Sequence, residues 1–237
     1  MSLLDEIFPN HTCLVCGGEL NQSEHKHACD TCVVTLPRHK RVCDKCGCGV
    51  GLHVLVCDRC PYSKWNFTRA RAALAYDGLV TGLVLRLKYN SEGDVARFVA
   101  PLLAEAVKEH NIKADVIVAV PLAPKRAKER GFNQAGLIAR ELSKLIEVPV
   151  VEDFVVRVRD TKAQKKMTLE ERRENLHGAF EIRPPYSVIK GKCVLLVDDV
   201  FTTGSTVDEC SRVMKKAKPK SIEVLTVASV GKSTSSQ

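Results

Sequence analysis

The sequence lacks several features that would assign it to common protein classes. No apolar run approaches the roughly 18 residues that a membrane-spanning helix needs, so we expect no membrane insertion. The first ten residues contain no basic region followed by an apolar block, and we therefore expect no signal peptide and a cytoplasmic location. Aromatic residues make up only 5% of the 237 residues, which leaves few platforms on which nucleic-acid bases could stack.

A nucleotide-binding P-loop is also missing. The Gly-Lys-Ser triplet at 231–233 has Thr226 where the first glycine of that motif should stand. The segment 194–199 alone looks like the acidic strand motif of P-loop NTPases, but that interpretation requires the missing loop.

Cysteine, in contrast, is abundant near the amino terminus. Nine of the eleven cysteines lie in the first sixty residues, and in a reducing compartment this favours metal ligation over disulfides. Eight of them form four Cys-x-x-Cys pairs: Cys13/Cys16, Cys29/Cys32, Cys43/Cys46 and Cys57/Cys60. Four pairs predict two zinc sites with four thiolates each, and a closed shell of thiolates makes each zinc structural.

The four pairs can combine in two ways. The intervening segments of twelve and ten residues are long enough for hairpins, which favours first with second and third with fourth over an interleaved arrangement. Cys48 is left over and is interpreted as a packing thiol. Residues 1–66 carry seven basic and seven acidic residues, so charge favours a protein or interdomain contact for this module over nucleic acid.

The most informative segment is 194–206. Four apolar residues at 194–197 predict a buried strand, and Asp198 and Asp199 follow it. After Val200 and Phe201 come five residues that are small, hydroxylated or glycine: Thr202, Thr203, Gly204, Ser205 and Thr206. A helical pattern then covers 207–217. A strand, a tight turn and a helix start are therefore expected in succession.

This arrangement suits a phosphorylated sugar. The unpaired N–H groups and dipole of a helix start attract a phosphate. Two adjacent carboxylates can accept hydrogen bonds from two hydroxyl groups. A ribose 5-phosphate offers both features. The alternative is that the Asp pair only caps a turn. The thirteen-residue pattern nevertheless resembles the phosphoribosyl diphosphate (PRPP) signature of type I phosphoribosyltransferases.

The rest of the chain alternates strand and helix patterns. Strands are predicted at 70–76, 115–120, 148–158, 179–182, 192–198 and 221–230, and helices at 79–89, 93–110, 135–146 and 207–217. The first helix is expected to bury Leu79, Leu83 and Leu87. The pattern predicts an α/β fold with a mostly parallel sheet flanked by helices. We divide the chain into a zinc module and linker (1–66, with the linker at 61–68), this α/β domain (67–230) and an unstructured tail (231–237).

Positive charge is concentrated in two segments of the second domain. The formal charge is +8, and 125–130 has four basic residues to one acidic, whereas 157–173 has seven to three. Such segments are typical of loops that bind polyanions, although a solvated surface helix would also explain 157–173.

Taken together, these motifs resemble the ComF family. The resemblance rests on the zinc pairs, Leu87-Lys88-Tyr89, the Arg-Gly-Phe-Asn-Gln motif at 130–134, the series from Arg159 to Gly178-Ala-Phe, and the PRPP segment. It implies a double zinc ribbon before a phosphoribosyltransferase-type domain, with PRPP and Mg²⁺ as ligands and a role in natural competence.

The resemblance also implies roles for individual residues. Asp198 and Asp199 would hold the ribose hydroxyls, and 202–206 the 5-phosphate. The turn at 120–126 would bind diphosphate, and 159–173 would be a mobile loop over the site. Because Pro121 and Pro124 lack N–H groups, the diphosphate donors would be the following: Leu122, Ala123, Lys125 and Arg126.

Two functions follow from these predictions. The first is a phosphoribosyltransferase that transfers ribose 5-phosphate to a nitrogen nucleophile, with Asp198, Asp199, Lys125 and Arg126 as the catalytic residues. The second is a non-catalytic adaptor of DNA uptake that binds single-stranded DNA, a helicase or another partner protein. No residue set in the sequence identifies the acceptor.

Overall fold

The sheet is the centre of the molecule. The computed structural model describes residues 12–20, 27–89, 93–161 and 168–231. Within them the strands are β1 (Arg69–Ala75), β2 (Val116–Ala119), β3 (Val155–Arg157), β4 (Phe180–Ile182), β5 (Cys193–Phe201) and β6 (Ser221–Ser229). Four strands form a parallel sheet in the order β1-β6-β5-β2, while β3 and β4 pair antiparallel. The predicted mostly parallel sheet is confirmed.

Helices cover both faces of this sheet. The helices of the described residues are α1 (Asp30–Thr35), α2 (Gly78–Tyr89), α3 (Asp94–Glu109), α4 (Pro124–Arg130), α5 (Gln134–Ile146), α6 (Leu169–Leu176) and α7 (Ser205–Met214). Leu195 and Val197 of β5 pack with α2, α3 and α5, whereas Val194 and Leu196 pack with α7. The continuous apolar run of β5 follows from burial on both faces. Within the described residues no helix combines the length and apolar content required to cross a bilayer.

The strand predicted at 148–158 is wrong over most of its length. Val150 makes only an isolated bridge to Ile117, and regular pairing is confined to β3. Asp153 lies between them with a φ of +51°. A left-handed residue interrupts an extended strand, so the chain leaves the main sheet and turns back as the β3–β4 hairpin.

The buried stripe of α2 differs from the prediction at one position. Leu83 and Leu87 are buried, but Leu79 is 40% exposed. The helix begins at Gly78, and Val80 and Val84 occupy the stripe beside Leu83 and Leu87. This i, i+3, i+4, i+7 spacing places the first-turn leucine outside the sheet contact.

The cysteine-rich module packs against the β1–β6 side of the sheet. The Ala70 N–H donates to the Lys45 carbonyl oxygen (2.9 Å), and the Ser229 hydroxyl donates to the Gly47 carbonyl oxygen (2.9 Å). Arg71 is buried and donates to the Asp44 carbonyl oxygen (3.0 Å). A side chain at Gly47 would place its Cβ 2.5 Å from the Ala70 carbonyl oxygen, so the close approach of the two backbones requires glycine.

The segment 61–68, expected to be a linker, is packed into the fold. Phe67 is buried, and the Asn66 N–H donates to Asp208 Oδ1 of α7 (2.6 Å). Trp65 stacks on Phe67 with ring centroids 5.0 Å apart. The boundary between residues 66 and 67 stays a prediction, while the segment itself connects the cysteine-rich module to the parallel sheet.

Candidate functional site

The Asp pair lies where the sheet narrows at its carboxyl edge. Pairing of β5 with β2 ends at Val197, whereas pairing with β6 continues to Phe201. Asp198 and Asp199 therefore both lie inside β5. The predicted strand ended at Asp198, so it is too short by three residues. Because β6 continues beside them while β2 has ended, they keep an extended backbone beside an open position, which is where ligands bind in parallel α/β sheets.

The two carboxylates begin on opposite faces of β5, as successive strand residues must. Asp199 faces α2 and α5: its Oδ2 lies 3.2 Å from Lys88 Nζ and accepts a hydrogen bond from Gln134 Nε2 (3.4 Å). Asp198 faces α7, where burial and then the Asp198 charge raise the pKa of Cys210. Both side chains are nearly buried.

Asp198 resists ionisation. Burial raises its pKa well above the ordinary value, the charge of Asp199 raises it further, and Lys88 opposes this only in part. Hydrogen-bond donors or a cation arriving at this edge would stabilise the ionised form. Such a perturbed carboxylate in a pair is typical of a functional site.

The sequence prediction did not include Lys88, Arg130 or Gln134 among the site residues. Arg130 Nη1 donates to Gln134 Oε1 (3.2 Å), which connects the motif at 130–134 to Asp199. Lys88 comes from the Leu-Lys-Tyr motif. Both motifs were visible in the sequence as parts of a resemblance, but their convergence on one carboxylate depends on how α2, α5 and β5 pack.

The turn between β5 and α7 has the predicted form. Gly204 is the N-cap of α7 with a φ of +81°, and the Thr203 and Ser205 hydroxyl oxygens lie 3.1 Å apart. First-turn N–H groups of a helix have no intrahelical acceptor. Thr202 is exposed, Thr203 and Thr206 are half-buried, and Ser205 is buried. The turn therefore contains both amides and hydroxyl groups that can donate hydrogen bonds.

The predicted diphosphate loop is partly helical. Its residues lead into α4, with Ala123 as the N-cap and Pro124 in the first turn. Ala123 is buried, Leu122 is half-buried, and Lys125 and Arg126 are exposed. The Lys125 N–H, predicted to bind diphosphate, donates instead to Asp160 Oδ1 (3.2 Å). A diphosphate bound through this amide would have to displace that contact.

Asn133 links this loop to α5. Its Oδ1 accepts the Ala135 N–H (3.1 Å) as the helix cap, and its Nδ2 donates to the Val120 carbonyl oxygen (3.1 Å). The Asn of the 130–134 motif therefore positions the loop. That side chain is structural, whereas Gln134 reaches the Asp pair.

The basic segment 157–173 is not a simple solvated helix. Residues 162–167 lie outside the described residues, and α6 begins after Thr168, whose capping box with Glu171 defines the helix start. The Arg157 guanidinium lies 5.3 Å from the Phe180 ring centroid, and Arg173 lies 5.3 Å from that of Trp65. Arg159 donates to the His177 carbonyl oxygen (2.8 Å). These arginines are held against the domain.

Comparison with known proteins assigns the family. A profile described as "Phosphoribosyl transferase domain" matches residues 88–237, which include the Asp pair and the turn. The chain belongs to this family. The sequence is 35% identical over 147 residues to Competence protein F of Haemophilus influenzae, covering 60% of this chain and 64% of that protein. It is 26% identical over 159 residues to Competence protein ComFC of Bacillus subtilis, covering 66% and 62%.

The predicted membership of the ComF family is confirmed by these relatives. The chain spans slightly under two thirds of the length of each. A glutamine PRPP amidotransferase structure from B. subtilis is also similar, with 16% identity, a TM-score of 0.40 and coverage of 60% of this chain and 30% of that one.

The cysteine clusters precede the part of the chain that matches the phosphoribosyltransferase profile. The Sγ atoms of Cys13, Cys16, Cys29 and Cys32 lie within 4.8 Å of one another, as do those of Cys43, Cys46, Cys57 and Cys60. The sequential combination of pairs is therefore the one that forms. Cys48 lies outside both sets, is buried, and its sulfur accepts a hydrogen bond from Arg59 Nη2 (3.0 Å).

The geometry of both clusters fits zinc. Zn–S bonds of about 2.3 Å in a tetrahedron put sulfurs roughly 3.8 Å apart. The Sγ distances are 3.7 Å for Cys43–Cys60 and 3.6 Å for Cys46–Cys57. In the first cluster, burial raises the pKa of Cys13, but N–H bonds from Cys16, Cys29 and Val15 lower it overall to about 6. Backbone donors of this kind stabilise thiolates, so both sets could hold structural zinc.

Proposed function

We propose that this phosphoribosyltransferase-family chain binds PRPP with Mg²⁺ and transfers its ribose 5-phosphate to a nitrogen nucleophile. The observation that carries the proposal is the Asp198–Asp199 pair at an open sheet edge, next to a glycine-capped helix start. Type I members place ribose hydroxyls and a 5-phosphate on such an arrangement, as the sequence resemblance implies.

The chain's own residues would act by positioning and by charge. Asp198 and Asp199 would accept the two ribose hydroxyls and stabilise the positive charge that develops at the anomeric carbon. The amides and hydroxyls of 202–206 would hold the 5-phosphate. Lys88 and Gln134 already orient Asp199. Lys125 and Arg126, both exposed at the start of α4, would attract the departing diphosphate.

The carboxylate oxygens of the Asp pair are ligands of the kind that Mg²⁺ prefers. When bound, Mg²⁺ would supply charge neutralisation for the diphosphate leaving group. Departure of diphosphate needs no general acid on the protein, so no proton transfer from Asp198 is required.

Calorimetric titration with PRPP and Mg²⁺ tests the proposal. Asp198→Asn and Asp199→Asn should each weaken binding about 10- to 100-fold, since a charge-assisted hydrogen bond contributes roughly 1.5–3 kcal/mol. Glu105 is an exposed acid that pairs with Arg38 and lies far along the chain from the Asp pair. The control variant Glu105→Gln should bind PRPP as the unaltered protein does. An unaltered protein that binds no PRPP would end the proposal.

The competence names of the relatives motivate a second candidate, a cytoplasmic role in DNA uptake through contact with single-stranded DNA, a helicase or another partner. The basic segments 125–130 and 157–173 are the feature that supports it, with Lys125 and Arg126 exposed. The aromatic residues Trp65 and Phe67 stack on each other and so are not free to stack on bases.

A salt series with a labelled single-stranded oligonucleotide tests this second candidate. Phosphate contacts release counterions, so affinity should fall steeply with salt. Lys125→Gln/Arg126→Gln should reduce the slope of log affinity against log salt by about 1 to 2. The matched pair Lys113→Gln/Lys216→Gln removes the same charge from exposed positions outside both segments and should leave the slope near its original value. A flat salt response would reject direct DNA binding.

The two cysteine clusters are proposed to hold one structural zinc each. Elemental analysis should find two zinc ions per chain, and prolonged chelation should remove both and lower the melting temperature, because metal binding energy is folding energy in such modules.

A further inference from the structure

We call the turn at 202–206 the phosphate turn. It packs against an aromatic wall formed by Trp65, Phe67 and Phe201, which come from both sides of the predicted domain boundary. Phe201 and Phe67 are buried, and their ring centroids lie 6.1 Å apart; those of Trp65 and Phe201 lie 6.4 Å apart. A Cβ at Gly204 would lie 2.5 Å from Phe201 Cζ and 3.1 Å from Trp65 Cζ3. The Trp65 ring therefore lies beside Gly204, the residue that caps α7, and together with Phe201 it leaves no room for a side chain there.

The segment that carries Trp65 is also bonded to the first turn of α7. Asp208 Oδ1 accepts both the Asn66 N–H (2.6 Å) and Asn66 Nδ2 (3.3 Å). The Asp208 N–H in turn donates to the Gly204 carbonyl oxygen (2.9 Å). Two neighbouring residues, Trp65 and Asn66, thus support the turn from one side.

The other side of Trp65 is fixed by the second cysteine cluster. Its Nε1–H donates to Cys60 Sγ (3.3 Å), and Cys60 is one of the four thiols of that cluster. The chain between them is short and internally bonded, from the Ser63 N–H to the Cys60 carbonyl oxygen (3.2 Å) and from the Trp65 N–H to the Ser63 carbonyl oxygen (3.0 Å). Within the described residues, the thiols of the first cluster bond to their own loops and to one another and not to this segment.

We propose that Trp65 is a positioning residue that couples metal occupancy of the second cysteine cluster to the shape of the phosphate turn. A metal bound to Cys60 would fix the position of the sulfur that accepts the indole N–H. The indole would then stay beside Gly204, and the hydrogen-bond donors of the turn would stay aligned. Loss of this metal releases Cys60 and then Trp65, and the turn loses its rear wall. The inference rests on the proposed function, because it assumes that the turn binds the 5-phosphate.

Coupling of this kind is reciprocal. A ligand that binds the ordered turn must stabilise the second cluster by the same factor by which the cluster favours the ligand. The first cluster is an internal control, since it has the same thiol chemistry but does not contact Trp65. This separation distinguishes a specific connection from a general loss of stability.

Ribose 5-phosphate is a suitable probe, since it carries the phosphate and the ribose hydroxyls without the diphosphate. Trp65→Leu should retain two zinc ions per chain and bind ribose 5-phosphate about tenfold more weakly, within the usual range of site-to-site coupling. Tyr62→Leu removes an aromatic residue that is 88% exposed in the same segment and should not change the affinity. Cys60→Ser should reproduce the effect of Trp65→Leu, whereas Cys32→Ser, in the first cluster, should not.

The unaltered protein offers a second measurement that requires no variant to fold. Trp65 is the single tryptophan of the chain, so its fluorescence reports on this position alone. Ribose 5-phosphate should change the emission. At saturation it should also raise by about tenfold the chelator concentration needed to remove one of the two zinc ions at equilibrium, with the concentration that removes the other unchanged.

The outcomes separate the two levels of the proposal. If the unaltered protein binds neither ribose 5-phosphate nor PRPP, the proposed function is wrong and the coupling falls with it. If it binds, but Trp65→Leu and Cys60→Ser bind equally well, only the coupling is refuted. The same holds if the ligand changes the required chelator concentration for neither zinc ion. A Cys32→Ser variant as weak as Cys60→Ser would also refute it.

Discussion

Replacement of Gly204 by alanine tests the structure of the turn at 202–206 most directly. The residue has a φ of +81°, and a left-handed conformation costs a residue with a Cβ about 1–2 kcal/mol. The new methyl group would also lie 2.5 Å from Phe201 Cζ. Phe201 is 2% exposed and cannot move into solvent, so overpacking adds about 1–3 kcal/mol. We expect a total loss of about 2–5 kcal/mol in the free energy of unfolding.

The control for this substitution is Gly93→Ala. Gly93 is the N-cap of α3 with a φ of +79°, and a Cβ there would meet nothing within 4 Å. This variant should lose only the conformational cost of about 1–2 kcal/mol. The difference between the two variants therefore measures the collision with the aromatic wall.

Thermal unfolding followed by circular dichroism is the assay. For a domain of this size each kcal/mol lowers the melting temperature by about 2–4 °C, so Gly204→Ala should melt about 4–20 °C lower. Phe201→Leu in the same chain should relieve part of the loss, and the two substitutions should be less than additive. Equal melting temperatures for Gly204→Ala and Gly93→Ala would refute the contact between the turn and the aromatic wall.

Three further substitutions should change stability in stated directions. Asp198→Asn should raise the melting temperature at pH 7. Burial raises the pKa of Asp198, so its ionised form opposes folding above the unfolded-state pKa, and the gain should vanish in acid. Glu209→Gln should lower the free energy of unfolding by about 1–3 kcal/mol at pH 7. Burial raises the pKa of Glu209, but hydrogen bonds from Arg212 and the Gly178 N–H lower this pKa overall from 4.5. The loss should therefore shrink as the pH falls below 4.5. Gly82→Ala, inside α2 where a Cβ meets nothing within 4 Å, should stabilise by about 0.5–1 kcal/mol.

Chemical or thermal denaturation at two pH values checks these three expectations. An Asp198→Asn protein less stable than the parent at pH 7 would show that the carboxylate is stabilised and not strained by its surroundings. A Glu209→Gln difference that persists unchanged at pH 3 would contradict the assignment to charge, and a destabilising Gly82→Ala would show that α2 has less space than the structure gives it.

Much of the site was predictable because its chemistry is contiguous. The Asp pair, the small turn and the helix start occupy 198–206, so strand and helix periodicity alone places them in order. The extent of β5 was not predictable in this way. Asp198 and Asp199 remain in the strand because β6 continues to pair with them, and pairing with a distant segment is invisible to local pattern.

The cysteine clusters show a similar division. Spacing predicted two sets of four thiols, and the hairpin lengths favoured the combination that forms. The segment after Cys60 looked like a linker because it lies between a cysteine-rich region and a region of alternating strand and helix patterns. The segment is packed instead, because the rings of Trp65 and Phe67 pack against Phe201. Phe201 ends β5 and lies more than 130 positions later in the chain.

The sequence by itself determined which chemical groups are available and which of them are neighbours along the backbone: thiol pairs, two acids, a glycine-capped helix start. Only the tertiary structure decided that Lys88 and Gln134 share Asp199 and that Trp65 lies between a cysteine cluster and Gly204. The physical reason is that local spacing is set by fixed backbone geometry, whereas contacts between distant segments depend on how whole helices and strands pack together.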